Sequence, residues 1–461
     1  MLFKDTIVAI STAAGVGAIG LVRLSGPQSL SIVSSLFSGK PIEQQASHTV
    51  HFGHIYDQDR KAENARMIDE VVVTLFLGSK SFTGEDTVEI AAHGSPYILD
   101  QVLNACILAG ARLAAPGEFT QRAFLNGKMD LAQAEAVGDL IAAENKASHE
   151  IALNQMRGGV SSELAALREQ LINFTALMEL ELDFSDEDVE FADRSALKSL
   201  IQNLKSKIQQ LIKSFEYGNA IKNGVPVAII GKPNAGKSTL LNALLKEERA
   251  IVSDIAGTTR DVIEEAINLE GITFRFIDTA GIRDTEDTIE AIGVERAKEK
   301  VQQAKVVIHL YEQDTDILDE LADSLQDKVI FNLLSKADKH DWANDRYENH
   351  LLEKYPAYHH FGISVKTGFN IDRLTGELVA HFKNENAAQS VVITNVRHKE
   401  ALQRAFAALE QVDEGMQMGL SGDLLSLHLK DALYQLGTIT GKIEVDRDIL
   451  GAIFGKFCIG K

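Results

Sequence analysis

Val225-Pro226-Val227-Ala228-Ile229-Ile230 is an unbroken apolar run. It leads into Gly231-Lys232-Pro233-Asn234-Ala235-Gly236-Lys237-Ser238, and Thr239-Leu240-Leu241-Asn242-Ala243-Leu244-Leu245 follows. The middle octet fits G-x-x-x-x-G-K-[ST], with strand, loop and helix in the order that pattern requires. Its glycines let backbone N–H groups approach phosphate oxygens, and the start of the following helix favours an anion. Lys237 is placed to neutralise β- and γ-phosphates and Ser238 to ligate Mg²⁺. Asn234, Ala235, Gly236 and Thr239 complete this phosphate-facing segment. Downstream, strand-like runs at 273–277, 306–310 and 329–333 alternate with helical stretches, which predicts a doubly wound, mostly parallel sheet.

Three further segments narrow the nucleotide to guanine. Asp278-Thr279-Ala280-Gly281 follows a strand, as the D-x-x-G of GTP switches does; Asp278 would reach Mg²⁺ through water and the Gly281 N–H the γ-phosphate. Upstream, Gly257-Thr258-Thr259-Arg260-Asp261 offers Thr259 as a second Mg²⁺ ligand. Ser335-Lys336-Ala337-Asp338 stands where N-K-x-D is expected, and Asp338 can accept from guanine N1 and N2, which adenine does not offer. Ser364-Val365-Lys366 resembles the S-A-K loop behind the base. Ser335 is shorter than the usual Asn, so binding is expected to be weakened yet guanine-selective. Ile282, after Gly281, cannot orient water as a glutamine would; Asp284, Glu286, Asp287 and Glu290 lie just beyond. Arg260 and Arg283 are available cations, although surface pairing is the commoner role for such residues.

Around this unit the texture is different. At 461 residues, about three domains are expected. Runs at 18–24 and 70–77 read as strands and 97–103 as a helix, a compact α+β unit. Leu164, Leu167, Leu171, Phe174 and Met178 follow helical spacing, as do Leu197, Ile201, Leu204, Ile208 and Leu211. Helical periodicity resumes at Leu402, Phe406 and Leu409, then at Leu425, Leu429, Leu433 and Leu436. Helices on both sides of an α/β unit imply its insertion into a helical domain. The acidic stretch 183–188 lacks calcium-loop spacing and reads as a solvated connection. Forty-six basic against 66 acidic residues leave a net charge of −20, so RNA cannot be held by bulk charge and would need a local basic patch or a basic partner. Two distant cysteines, no long apolar run and no leader-like N-terminus predict a cytoplasmic protein with no membrane association.

The whole chain, beyond the nucleotide motifs, resembles the MnmE/TrmE family of tRNA uridine modification GTPases. The resemblance is carried by Ser81-Phe82-Thr83-Gly84-Glu85-Asp86, Pro116-Gly117-Glu118-Phe119, Arg122-Ala123-Phe124-Leu125-Asn126-Gly127-Lys128, Asp130-Leu131-Ala132-Gln133-Ala134-Glu135-Ala136 and the terminal Cys458-Ile459-Gly460-Lys461. It implies a tetrahydrofolate-binding and dimerisation domain at 1–119, a discontinuous helical domain at 120–222 and 384–461, and an inserted Ras-like P-loop GTPase domain at 223–383. It also implies a homodimer that joins an MnmG/GidA-type flavoprotein carrying FAD in a heterotetramer. Together they would form the (carboxymethyl)aminomethyl group at C5 of the tRNA wobble uridine, drawing on 5-formyl- or methylene-tetrahydrofolate, with hydrolysis activated by potassium.

Residue roles follow from the same likeness. Asn234, Ser253, Ile255 and Thr258 would hold potassium, within a nucleotide-binding segment Ser253-Asp254-Ile255-Ala256-Gly257-Thr258-Thr259. Potassium beside the phosphates would offset developing charge as an arginine does. Glu290 would orient the attacking water. Arg23, Glu89, Lys128 and Lys461 match folate-contacting positions, and Cys458 a catalytic thiol. Read without the family, Glu290 is a helix-surface acid, Glu89 a strand carboxylate and Cys458 a core thiol. The competing functions are a regulatory GTP switch acting on RNA or ribosome assembly without chemistry of its own, and an ATP-dependent assembly factor. The folate segments oppose the first and Asp338 the second.

Overall fold

A computed structural model describes residues 4–183, 194–247, 265–277, 298–312, 321, 324–325, 328–339, 356–382 and 391–441. They form two compact units. The first takes the described residues of Met1–Ala142, Ala152–Lys205 and Ala401–Lys461, and the second those of Ala143–Ile151 and Ser206–Glu400.

The first unit opens with β1 (Ile7–Ile10), β2 (Ile19–Ser25), α1 (Ser29–Leu36), β3 (Phe37–Ser38), β4 (Thr49–Tyr56), β5 (Met67–Phe76), β6 (Thr87–His93), α2 (Pro96–Leu108) and β7 (Arg112–Leu113). The strands make one sheet in the order β3-β4-β5-β6-β2-β1-β7, antiparallel except for the β1–β7 pair. Alternation decides its faces. Val71, Val73 and Leu75 of β5 are buried, while Glu70 before them and Val72 among them are exposed. The buried set packs with Val33 and Leu36 of α1 and with Leu99, Val102 and Cys106 of α2. Each fully buried Val or Leu contributes about 1.5–3 kcal/mol. Pro96 starts α2, where its missing N–H costs nothing. A Cβ on Gly20 would lie 2.4 Å from the Leu99 side chain, so the absence of one lets Leu99 of α2 settle directly on β2.

Five helices follow: α3 (Glu118–Leu125), α4 (Leu131–Ile141), α5 (Lys146–Met156), α6 (Gly159–Asp183) and α7 (Arg194–Asn223). Asp130 and Gln133 form a reciprocal capping box that starts α4. The apolar spacing read in α6 and α7 is the buried stripe: Leu164, Leu167, Leu171, Met178, Leu197, Ile201, Leu204 and Ile208 are inaccessible or nearly so.

In the second unit, β8 (Val225–Ile230), α8 (Lys237–Glu247), β9 (Glu265–Leu269), β10 (Ile272–Phe276), β11 (Val306–Tyr311), β12 (Val329–Leu334), β13 (His359–Gly362) and α9 (Ile371–Phe382) build a six-stranded sheet in the order β13-β12-β11-β8-β10-β9. All pairs are parallel except β9–β10. This is the doubly wound sheet expected from the alternation. The antiparallel edge strand was not anticipated. It is made by a two-residue turn with positive φ at Glu270 (+49°) and Gly271 (+89°), the geometry that matches strand twist.

Two later helices are α10 (Val396–Gln417) and α11 (Gly422–Thr440). Helix α11 packs along α6 and buries Leu425, Leu429 and Leu436. Segments far apart in sequence thus share one helical layer. Among the described residues no helix is long and apolar enough to cross a membrane.

Candidate functional site

Strand β8 is buried almost throughout and delivers the chain to Gly231. A Cβ there would meet the Leu310 carbonyl oxygen at 2.3 Å, and φ is +147°. Glycine is therefore dictated by the close approach of β11. The loop then turns through Asn234 at φ +64° and Gly236 at φ +96° before α8 begins at Lys237. Asparagine is among the few residues that take the left-handed region readily. Lys237 Nζ donates to the carbonyls of Gly231 (2.7 Å) and Lys232 (2.9 Å). Burial, assisted by the charge of Lys300, holds this ammonium below its usual pKa. A phosphate in the loop would act in the opposite sense, favouring the charged form. Ser238 and Thr239 occupy the first turn of α8.

The far wall hangs from the ends of β11 and β12. Ser335 donates twice to the Tyr311 carbonyl, through its N–H (2.8 Å) and Oγ (3.2 Å). Lys336 has φ +56°, and its Nζ reaches the Asn234 carbonyl (2.9 Å) and the Glu312 carboxylate. The Ala337 N–H donates to the Ile363 carbonyl (3.0 Å). Asp338 Oδ1 accepts from Ser364 Oγ at 2.7 Å, and that bond is the main cause holding the carboxyl below the usual aspartate range. Between the walls lies a cleft of about 260 Å³. Ala235, Gly236 and Thr239 line one side; Ser335, Lys336, Asp338, Ser364, Val365 and Lys366 line the other. Two loops more than a hundred residues apart thus face one space. An oriented carboxylate stands at one end and the loop that turns through Asn234 and Gly236 at the other.

Beneath the loop, buried His309 bonds through Nδ1 to Asn332 Oδ1 at 2.8 Å. Burial carries its pKa down to about 4, against the opposing bond to Asn332 and with help from Lys232 and Lys237. A neutral imidazole therefore adds no charge under the phosphate loop. Sequence reading did not single it out, because a lone histidine in an apolar strand carries no motif.

In the first unit, Arg23 and Glu89 face each other across β2 and β6, joined at 2.7 Å. Their side chains are 20% and 19% exposed, so the pair is reachable. The Arg23 guanidinium carbon also lies 5.9 Å from the centre of the Phe119 ring. Lys128 is held separately, donating from Nζ to the Ser79 carbonyl at 2.7 Å. A charged network close by was not foreseen. Arg122 has a fully inaccessible side chain and binds Asp5 (2.9 Å), Glu118 (2.9 Å) and Glu85 (3.2 Å). Arg112 bridges Asp5 and Glu118 as well. Glu85, Glu118 and Arg122 all lie in segments that carry the family resemblance, but their opposite charges meet only after folding.

Ser253, Asp254, Ile255, Ala256, Gly257, Thr258, Thr259, Asp278, Thr279, Ala280, Gly281, Glu290, Cys458 and Lys461 lie outside the described residues.

Compared with known proteins, the chain is 51% identical to a protein of Cytophaga hutchinsonii named tRNA modification GTPase MnmE, over 99% of this chain and 98% of that one. Residues 6–128 match the family described as GTP-binding protein TrmE N-terminus, and residues 131–458 match the MnmE helical domain. The chain belongs to the MnmE family of tRNA modification GTPases. Other MnmE relatives span it equally well. Those of Bacteroides fragilis (50% identical, 99% of this chain, 100% of the relative) and Flavobacterium johnsoniae (47%, 100% and 100%) bear the same name. As an MnmE-family protein it is a GTPase.

Proposed function

We propose that this chain is a potassium-activated GTP hydrolase acting with a flavoprotein partner on the C5 position of the tRNA wobble uridine. The observation that carries this reading is that the likeness to tRNA modification GTPases runs the full length of the chain, through the N-terminal sheet as well as the nucleotide cleft. A plain GTP switch needs only the cleft.

At the cleft, Lys237 leaves the carbonyls of Gly231 and Lys232 for the β- and γ-phosphates, while Asp338, braced by Ser364, reads guanine. Ser238 and Thr239 face the phosphates from α8, and Ser238 with Thr259 would hold magnesium. The donor set suits the ions. Asn234, presented by its left-handed backbone, has a neutral side-chain oxygen of the kind a monovalent cation takes, and Ser253, Ile255 and Thr258 would complete that site. Bound there, potassium supplies positive charge beside the phosphates. Glu290 would align water, the role that Ile282 cannot fill. In the first unit the Arg23–Glu89 pair offers a cation for a folate's anionic groups and an acceptor for its pterin N–H groups, with Lys128, Lys461 and Cys458 contributing. The domains follow as 1–119 for folate and homodimerisation, 120–222 with 384–461 helical, and 223–383 for the nucleotide. The setting is cytoplasmic, and the flavoprotein partner brings FAD and much of the basic surface for tRNA.

GTP turnover is expected to rise at least about tenfold when sodium is replaced by potassium, a floor below the about 10²–10³ that one fixed charge-stabilising group is worth. Asn234→Ala should remove that stimulation, with GDP binding followed in parallel to verify the loop. Stimulation that survives the substitution would leave the ion site unsupported.

One observation favours the simpler switch: Arg23 is already satisfied by Glu89, as a purely structural cross-strand pair would be. Calorimetric titration with 5-formyltetrahydrofolate separates the readings. Binding that is lost in Arg23→Ala supports the modifying enzyme; no binding to folded protein supports the switch.

A further inference from the structure

Two consecutive residues at the end of β11 hold two consecutive residues of the guanine-reading loop. The Tyr311 carbonyl takes both bonds from Ser335, and the Glu312 carboxylate takes the ammonium of Lys336. That same ammonium donates to the carbonyl of Asn234 in the phosphate loop at 2.9 Å. Lys336 sits at φ +56°, a conformation a lysine keeps only where its surroundings hold it. We propose that Glu312 is a positioning residue for nucleotide binding: it neutralises Lys336 and keeps its ammonium against the Asn234 carbonyl, so that the base-reading and phosphate-binding loops are clasped before nucleotide arrives.

The geometry sets the sign of the effect. Glu312 does not draw Lys336 away from the phosphate loop, because one ammonium with three donors serves both acceptors together. Loss of the carboxylate leaves a single neutral carbonyl to hold a flexible, strongly hydrated side chain. Preorganisation of the cleft is then lost, and the cost falls on complex lifetime. Lys336 and Glu312 are 34% and 38% exposed, so solvent screens the pair and the effect is moderate. GTP and GDP share the base and the phosphate loop, so both are affected alike, and the preference over adenine, which belongs to Asp338, is not.

The test measures dissociation of fluorescent GDP and GTP analogues from full-length protein by stopped flow. Glu312→Gln should release both about 2–5-fold faster, with an unchanged GDP:GTP affinity ratio and an unchanged urea midpoint. Glu312→Asp, which keeps the charge, should recover part of the loss. In a Lys336→Gln background the Glu312→Gln substitution should add nothing, and the wild-type advantage should shrink at 1 M salt. Release rates within about 1.5-fold of wild type, tighter binding, or an equal effect of Glu312→Gln with and without Lys336 would overturn the proposal.

Discussion

Arg122→Leu is expected to destabilise the first unit by about 3–5 kcal/mol, measured by urea unfolding, because it strips the shared cation from carboxylates that stay buried. Glu85 and Glu118 keep 11% and 7% exposure, and Arg122 none. Arg112 can still serve Glu118 and Asp5, but among the described residues Glu85 would keep Ser25 Oγ at 2.8 Å as its side-chain donor. A loss near 1 kcal/mol would mean that Arg112 and solvent suffice. The network also fixes the acid response. Burial pushes Glu118 up, yet the bonds from Arg112, the Ala115 N–H and Arg122 outweigh it and leave its pKa below the ordinary value. Asp5 is lowered as well: burial pushes it up, and Arg112 and Arg122 pull it down further. A depressed folded-state pKa gives stability that is complete above the unfolded value and is lost as pH falls through the folded one. Stability of this unit should therefore be flat near neutrality and decline below about pH 4.5. The decline should be shallower in Arg122→Leu.

The second large effect concerns base selection. Asp338→Asn should lower GTP affinity on the order of 10²–10³-fold and raise affinity for xanthosine triphosphate, read by competition titration. A carboxylate accepts from guanine N1–H and from the N2 amine. An amide has an acceptor oxygen on one side and a donor NH₂ on the other, so its NH₂ meets the guanine amine donor to donor. Xanthine carries a carbonyl at that position and accepts from the amide instead. The amide oxygen can still accept from Ser364, whose Oγ lies 2.7 Å from Asp338 Oδ1, so the loop itself should persist. An asparagine variant that still prefers GTP to the xanthine nucleotide would show that other groups read the base.

Elements with a strong local period were readable in advance. The run into Gly231, the strand over 70–77, and the apolar stripes of α6, α7 and α11 all declare themselves within a few residues. The β9 edge strand was not read, because its turn is Glu270-Gly271, and glutamate is an unusual occupant of positive φ. The Arg122 network was illegible for a different reason. Asp5 is 117 residues from Arg122, and nothing in a charged residue's neighbourhood names its distant partner. Arg23 and Glu89 likewise become a pair through the register of β2 against β6, which a one-residue slip would abolish.

By itself the sequence determined the chemistry on offer: the G-x-x-x-x-G-K-S pattern at 231–238, an aspartate proposed to read guanine, and the segments that place the chain among the MnmE GTPases. The tertiary structure alone decided which groups meet. It set Lys336 between Glu312 and Asn234, closed Ser364 onto Asp338, and buried Arg122 among three carboxylates. The division has a physical basis. Propensity and hydrophobic period act over a few residues, whereas a charge or hydrogen bond is worth little until its partner is brought within about 3 Å and water is shut out.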